Sequence, residues 1–190
     1  VVGVAPKASL YAVKVLNNAG VGSYADVIDG IKWSIQNSIG VISMSFGGSS
    51  YSKALEDACS AAYNAGLILV AAAGNSGDGN PDTSEVSYPA AYTSVIAVSA
   101  TDINDVAPYW SSSGPEVELA APGVDIKSTW LDGTYETLSG TSMACPHVTG
   151  TTALIWAKKS TLTNDMVRSL LQITADPLGN TRVYGYGLVD

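Results

Sequence analysis

The segment Gly140–Gly150, GTSMACPHVTG, places Ser142 five residues ahead of the only histidine in the chain. A serine hydroxyl becomes a nucleophile when a neighbouring base takes its proton, and histidine is the usual base. Ser142 sits between Gly140 and a long helix-like run. At such a position the unpaired N–H groups of a first helical turn and the positive end of the helix dipole favour negative charge. The same N–H groups can hold the oxyanion of an acyl transfer. Gly140 lets a substrate backbone come close, and Pro146 is tolerated in a first helical turn. On residue type alone, Ser142 also reads as a helix N-cap.

Geometry separates the serine from the histidine. Five residues of helix turn through about 500° and rise about 7.5 Å. Ser142 and His147 therefore point from different faces, beyond the roughly 3 Å that proton transfer requires. His147 reads as a structural residue at the start of a core-facing helix, and the base must come from elsewhere.

Two other stretches carry usable chemistry. Asn75, in AAGNSG, offers an amide N–H₂ that can face developing negative charge without titrating; without further context, Asn75-Ser76-Gly77 is also a turn. Asp78, Asn80 and Asp82 alternate along the loop DGNPD, with Glu85 nearby. Hard oxygens on a flexible loop suit Ca²⁺, and a solvated acidic loop has the same letters.

The elements that position these residues alternate along the chain. Short, nearly continuous apolar runs at Leu10–Leu16, Val41–Phe46, Leu67–Ala73, Val95–Ala100 and Val117–Ala120 read as strands buried on both faces. Between them, Tyr24–Gln36 and Ser52–Asn64 read as helices, the second ending at a glycine stop. Met143–Lys158 and Thr163–Thr174 follow as helices, the last behind a polar cap. Alternation of this kind implies an α/β fold with a mainly parallel sheet. Function in such folds collects at the carboxyl ends of strands, where SFGG, GNSG and the loop before Ser142 fall.

Composition limits the function classes. The chain has 190 residues, 46% apolar and 14% charged, which fits one folded domain spanning 1–190. A net charge of −8 disfavours nucleic acid and anionic membrane surfaces as partners. No apolar run is long enough to cross a bilayer. Cys59 and Cys145 lack metal-ligand spacing, and the sequence leaves them free or paired. The first residues carry no signal-peptide pattern, and both ends read as cut.

GTSMACPHVTG resembles the serine motif of the subtilisin-like serine proteases, or subtilases. GVAPKASLYAVKVL, VISMSFGG, VAAAGNSG, SYPAAY, VIAVSATD, WSSSGPEVELAAPGVDI and YGYGLVD resemble counterparts in the same order, so the likeness spans essentially the whole chain. It implies a three-layer, doubly wound α/β fold and a serine endopeptidase acting on polypeptides, with bacterial subtilisins and thermitase-like members most similar. Ser142 is then implied as nucleophile and Asn75 as the side-chain donor of the oxyanion hole.

The resemblance also implies a substrate cleft. Ser45, Phe46, Gly47 and Gly48 would pair with an extended substrate backbone. Gly20 and Gly22 would form the opposite edge, with Tyr24 at its rim. Ala72, Ala73, Gly74 and Tyr88, with Ser87 and Pro89, would wall the pocket for the residue before the cut bond. Those walls are small and uncharged, so a broad apolar preference is expected, while Ala90 stands where the family often has glycine. Structural Ca²⁺ is implied at the backbone oxygens of Ala90, Tyr92 and Val95, and near Val1, where most of the family's site is absent. Asp78 and Asp82 remain the side-chain candidates.

One departure matters. Subtilases order their triad Asp, His, Ser, and both earlier motifs would precede this chain's first residue. The chain is therefore expected to be the C-terminal part of a catalytic domain, inactive without an upstream partner segment that supplies Asp and His. When complete it is expected to be a monomer outside the cell. An α/β-hydrolase esterase needs its histidine after the nucleophile, and none follows His147. The other alternative is a pseudoprotease that binds peptides without cleaving them.

Overall fold

The computed structural model describes residues 3–190; Val1 lies outside them. Four strands, β1 (Val41–Met44), β2 (Ile68–Ala72), β3 (Ile96–Thr101) and β4 (Val117–Pro122), form one parallel sheet in the order β1-β2-β3-β4. Their side chains alternate between two cores. Ile68, Val70 and Ala72 face one side with Cys145, Val148, Val167 and Leu171. Leu69 and Ala71 face the other with Val27, Ile31, Leu55 and Cys59. Strands buried on both faces must be apolar throughout, which explains their continuous runs.

Helices cover each face, giving three layers. α1 (Tyr24–Gln36) and α2 (Lys53–Asn64) lie on one side. A capping box of Ser23 and Asp26 opens α1, and the Ser52 hydroxyl caps α2 through the Leu55 N–H. α3 (Thr141–Lys158) and α4 (Asn164–Thr174) cover the other side, α4 being capped by Thr163. Arg168 of α4 pairs with the buried Glu118 of β4, its Nη2 2.5 Å from Oε2. A short α5 (Thr181–Tyr184) follows. Among the described residues no helix is long and apolar enough to cross a membrane.

Besides the short α5, which the sequence reading lacks, two elements differ from that reading. Leu10–Leu16 forms no strand, and Leu10 is 92% exposed. β1 pairs with β2 alone, and among the described residues no backbone hydrogen bond joins this run to the open edge of β1. It lies against α1 instead, with the Val13 and Val15 methyls over Gly30. Apolar, β-branched composition alone does not make a strand without a paired neighbour.

The second difference is an antiparallel hairpin of β5 (Ile126–Thr129) and β6 (Tyr135–Leu138) just before Ser142. Its residues are mostly exposed, so the apolar pattern used to find buried strands misses it. The signal that could have found it is Asp132-Gly133, both at positive φ, a pairing typical of hairpin turns.

Candidate active site

Ser142 sits at the second residue of α3, because Gly140 is the N-cap and contributes no side-chain hydrogen bond. The N-cap reading of Ser142 is therefore set aside. The serine is half-buried, and its Oγ donates to the carbonyl of Ser45 at 3.0 Å. In return, the Ser45 hydroxyl donates to the Ser142 carbonyl at 2.9 Å. The carboxyl end of β1 and the start of α3 are thus joined at the nucleophile. His147 turns away from it: its Nδ1 bonds the Met143 carbonyl one turn back, at 2.9 Å.

Asn75, just beyond β2, reaches the same helix start. Its Oδ1 accepts from the Thr141 N–H and from the Thr141 hydroxyl, both at 2.9 Å. With the oxygen engaged, the amide nitrogen faces the other way, beside Gly140: a methyl group on Gly140 would lie 3.3 Å from Nδ2. The Thr141 hydroxyl also accepts the Gly74 N–H at 3.1 Å, which fixes the turn that carries Asn75. Thr141, fully buried, went unnoticed in the sequence. Its position next to the nucleophile was the available clue.

Ser142 and Asn75 share the wall of a cavity of about 440 Å³ with Phe46, Gly47, Gly48, Ala72 and Ser87. Gly47 is required there, because a Cβ would meet the Ser87 hydroxyl at 2.4 Å. Gly47 makes no hydrogen bond among the described residues and leaves its backbone open to a ligand. Gly48 exchanges two backbone bonds with Tyr88, which seals one side of the cleft. A second cavity of about 250 Å³ is lined by Gly20, Gly22, Tyr24, Phe46, Gly48 and Tyr88. Residues of both expected edges thus line this one cavity.

Three expectations are adjusted here. Ala73 is fully buried and lines neither cavity; its carbonyl instead accepts the Ser87 N–H and hydroxyl. Gly74 lines the larger cavity, but its N–H and carbonyl are taken by Thr141 and Ser112. The wall is also not uncharged, because Glu85 lines the larger cavity. Glu85 Oε2 accepts from the Ser113 N–H at 3.2 Å, while Oε1 is buried without a partner. The sequence reading grouped Glu85 with the acidic loop; the chain instead turns it toward Ser113.

The calcium candidates differ in their surroundings. Asp78 Oδ1 accepts the Asn80 N–H at 2.7 Å, and Asn80 Oδ1 accepts the Asp82 N–H at 3.1 Å. The Arg182 guanidinium holds the carbonyls of Pro81, Asp82 and Thr83. The remaining carboxylate oxygens of Asp78 and Asp82 suit a hard cation by type. Ala90, Tyr92 and Val95 are buried; the Tyr92 carbonyl accepts the Val95 N–H, and the Val95 carbonyl faces Arg168 Nη2 at 3.4 Å. No cluster of three or more His, Cys, Asp or Glu side chains fit for a metal occurs among the described residues.

Cys59 and Cys145 are both free, and they lie in the cores on opposite faces of the sheet. Burial, with Glu56 adding repulsion, pushes the Cys59 thiol up to about 12. Burial also raises Cys145.

The chain matches the Subtilase family over residues 1–187. It is 50% identical over 190 residues to Subtilisin DY of Bacillus licheniformis, covering all of this chain and 69% of that protein. It is 50% identical over 190 residues to Subtilisin E of Bacillus subtilis (strain 168), covering 50% of that protein. Among solved structures it is similar to Sphericase, with a TM-score of 0.88, 35% identity and coverage of 97% of this chain and 69% of that one. The chain thus spans half to about two thirds of the relatives' own length.

Proposed function

The chain belongs to the subtilase family, and on that premise we propose that it carries the nucleophile, the oxyanion hole and much of the substrate cleft of a serine endopeptidase. The observation that carries this reading is the meeting of Ser142, at the start of α3, with an Asn75 amide fixed by Thr141. An extended peptide lies along the open backbone of Gly47, between the Gly20–Tyr24 edge and Tyr88. Ser142 Oγ attacks the scissile carbonyl, and the carbonyl oxygen gains negative charge between the Ser142 N–H and Asn75 Nδ2. Collapse expels the amine and leaves an acyl ester on Ser142, which water then hydrolyses.

Both halves of that cycle require a base near Ser142 Oγ, then the same group as acid. His147 is the chain's one histidine, and it is bonded to its own helix. The base and its orienting carboxylate therefore come from a segment other than this chain, and the chain alone is inactive. The intact Ser142 and Asn75 favour this reading over a non-cleaving peptide binder. Polypeptides are its substrates and the enzyme acts outside the cell, a reading supported by its family. Calcium would be held by Asp78 and Asp82 and would tie the loop that precedes Glu85. The 90–95 loop is the poorer host, since a guanidinium already faces one of its carbonyls.

The test is peptide hydrolysis by this chain joined to, or mixed with, a family segment that bears Asp and His. Cleavage that disappears in Ser142→Ala supports the reading. Absence of cleavage by a folded assembly overturns it.

A further inference from the structure

We infer that the Ser45 side chain is a positioning residue for the nucleophile, and that Pro146 creates the need for it. In an α-helix, the carbonyl of residue i accepts the N–H of residue i+4. For Ser142 that donor would be residue 146, which is proline and has no N–H. The carbonyl of the nucleophile is thereby left without its helical partner. The Ser45 hydroxyl fills that place from the carboxyl end of β1, at 2.9 Å.

The consequence is local and specific. The two bonds of the Ser45–Ser142 pair act on different atoms of the nucleophile. One parks Oγ on the Ser45 carbonyl at 3.0 Å, a contact that Oγ must leave when it transfers its proton. The other holds the backbone of Ser142 and persists through the reaction. That backbone carries the oxyanion-hole N–H, so its orientation sets how well the developing charge is met. β1 is the outermost described strand of the sheet on its side, and this hydroxyl ties the residue just after it to the Ser142 carbonyl. A second link lies deeper, where the Thr149 hydroxyl donates to Ser43 at 3.0 Å. Neither that contact nor Ser43 Oγ against Cys145 Sγ at 3.6 Å reaches the Ser142 carbonyl, and the Asn75 bonds hold the residue before it, so none of them replaces Ser45.

This inference rests on Ser142 being the nucleophile, and the experiment separates the two claims. Steady-state kinetics on a peptide substrate are measured for the assembled protein carrying no substitution, Ser45→Ala, Pro146→Ala, and both. Ser45→Ala is expected to lower kcat about tenfold with KM nearly unchanged, the cost of one unsatisfied carbonyl. Pro146→Ala returns an N–H to the Ser142 carbonyl, so the double variant should recover most of the kcat lost in Ser45→Ala. Ser45→Thr, which keeps the hydroxyl, should retain kcat within about twofold. An unchanged kcat in Ser45→Ala, an equal loss in KM, or no recovery in the double variant overturns the inference. If the unsubstituted assembly cleaves nothing, the failure belongs to the nucleophile assignment.

Discussion

The Thr141 hydroxyl donates to Asn75 Oδ1 at 2.9 Å while accepting the Gly74 N–H at 3.1 Å. One buried side chain thus sets both the turn that carries the amide and the direction the amide faces. Thr141→Val keeps the shape and removes the hydroxyl. Its expected effect is a fall in kcat of about tenfold or more with little change in KM, on the scale of the two hydrogen bonds lost. Thr141→Ser should restore the rate. A loss of binding with kcat intact would contradict this role.

Among the described residues, Glu85 is the only ionisable side chain on the wall of the larger cavity. Because Glu85 lines that wall, it should favour a substrate side chain that brings a cation. In the assembled enzyme, Glu85→Gln is expected to lower the ratio of kcat/KM for lysine over phenylalanine before the cut bond by about tenfold. An unchanged ratio would remove Glu85 from specificity.

The two thiols tie stability to alkaline pH. A thiol whose folded pKa lies above its unfolded value contributes stability that is complete below the unfolded value and lost as pH rises toward the folded one. For Cys59 that window runs from 9.0 to about 12. Native protein should resist thiol reagents at pH 8 and react in denaturant, and its melting temperature should fall above pH 9. Cys59→Ala should flatten that fall. Rapid native labelling at pH 8 would refute the buried placement.

Calcium should raise the melting temperature relative to chelator, since an ion bound only by folded protein stabilises it. Asp78→Asn with Asp82→Asn should abolish the difference. A shift that survives the double substitution would move the ion elsewhere, and no shift at all would dismiss it.

Much of this was legible in the sequence because the sheet is buried on both faces. Apolar runs such as Leu67–Ala73 have one structural reading when glycine and polar caps bound them. The helix span Tyr24–Gln36 was legible from the apolar spacing of Val27, Ile28, Ile31 and Ile35, and the structure shows the same bounds. Leu10–Leu16 failed because a strand depends on a paired neighbour, which composition does not encode. At the site, Ser142 and Asn75 were visible through their types and order. Thr141, the Ser45 hydroxyl and the inward turn of Glu85 were not, because each acts through a contact between segments far apart in the chain.

Ser142 is expected to act as an activated nucleophile once a base is supplied. The most direct test is reaction of the assembled protein with a fluorophosphonate, followed by mass spectrometry of the modified peptide. The adduct is expected on Ser142 alone, absent in Ser142→Ala and absent from this chain without its partner segment. A folded assembly that stays unmodified at Ser142 would remove Ser142 as the nucleophile, and a chain that labels there by itself would show that it needs no partner segment.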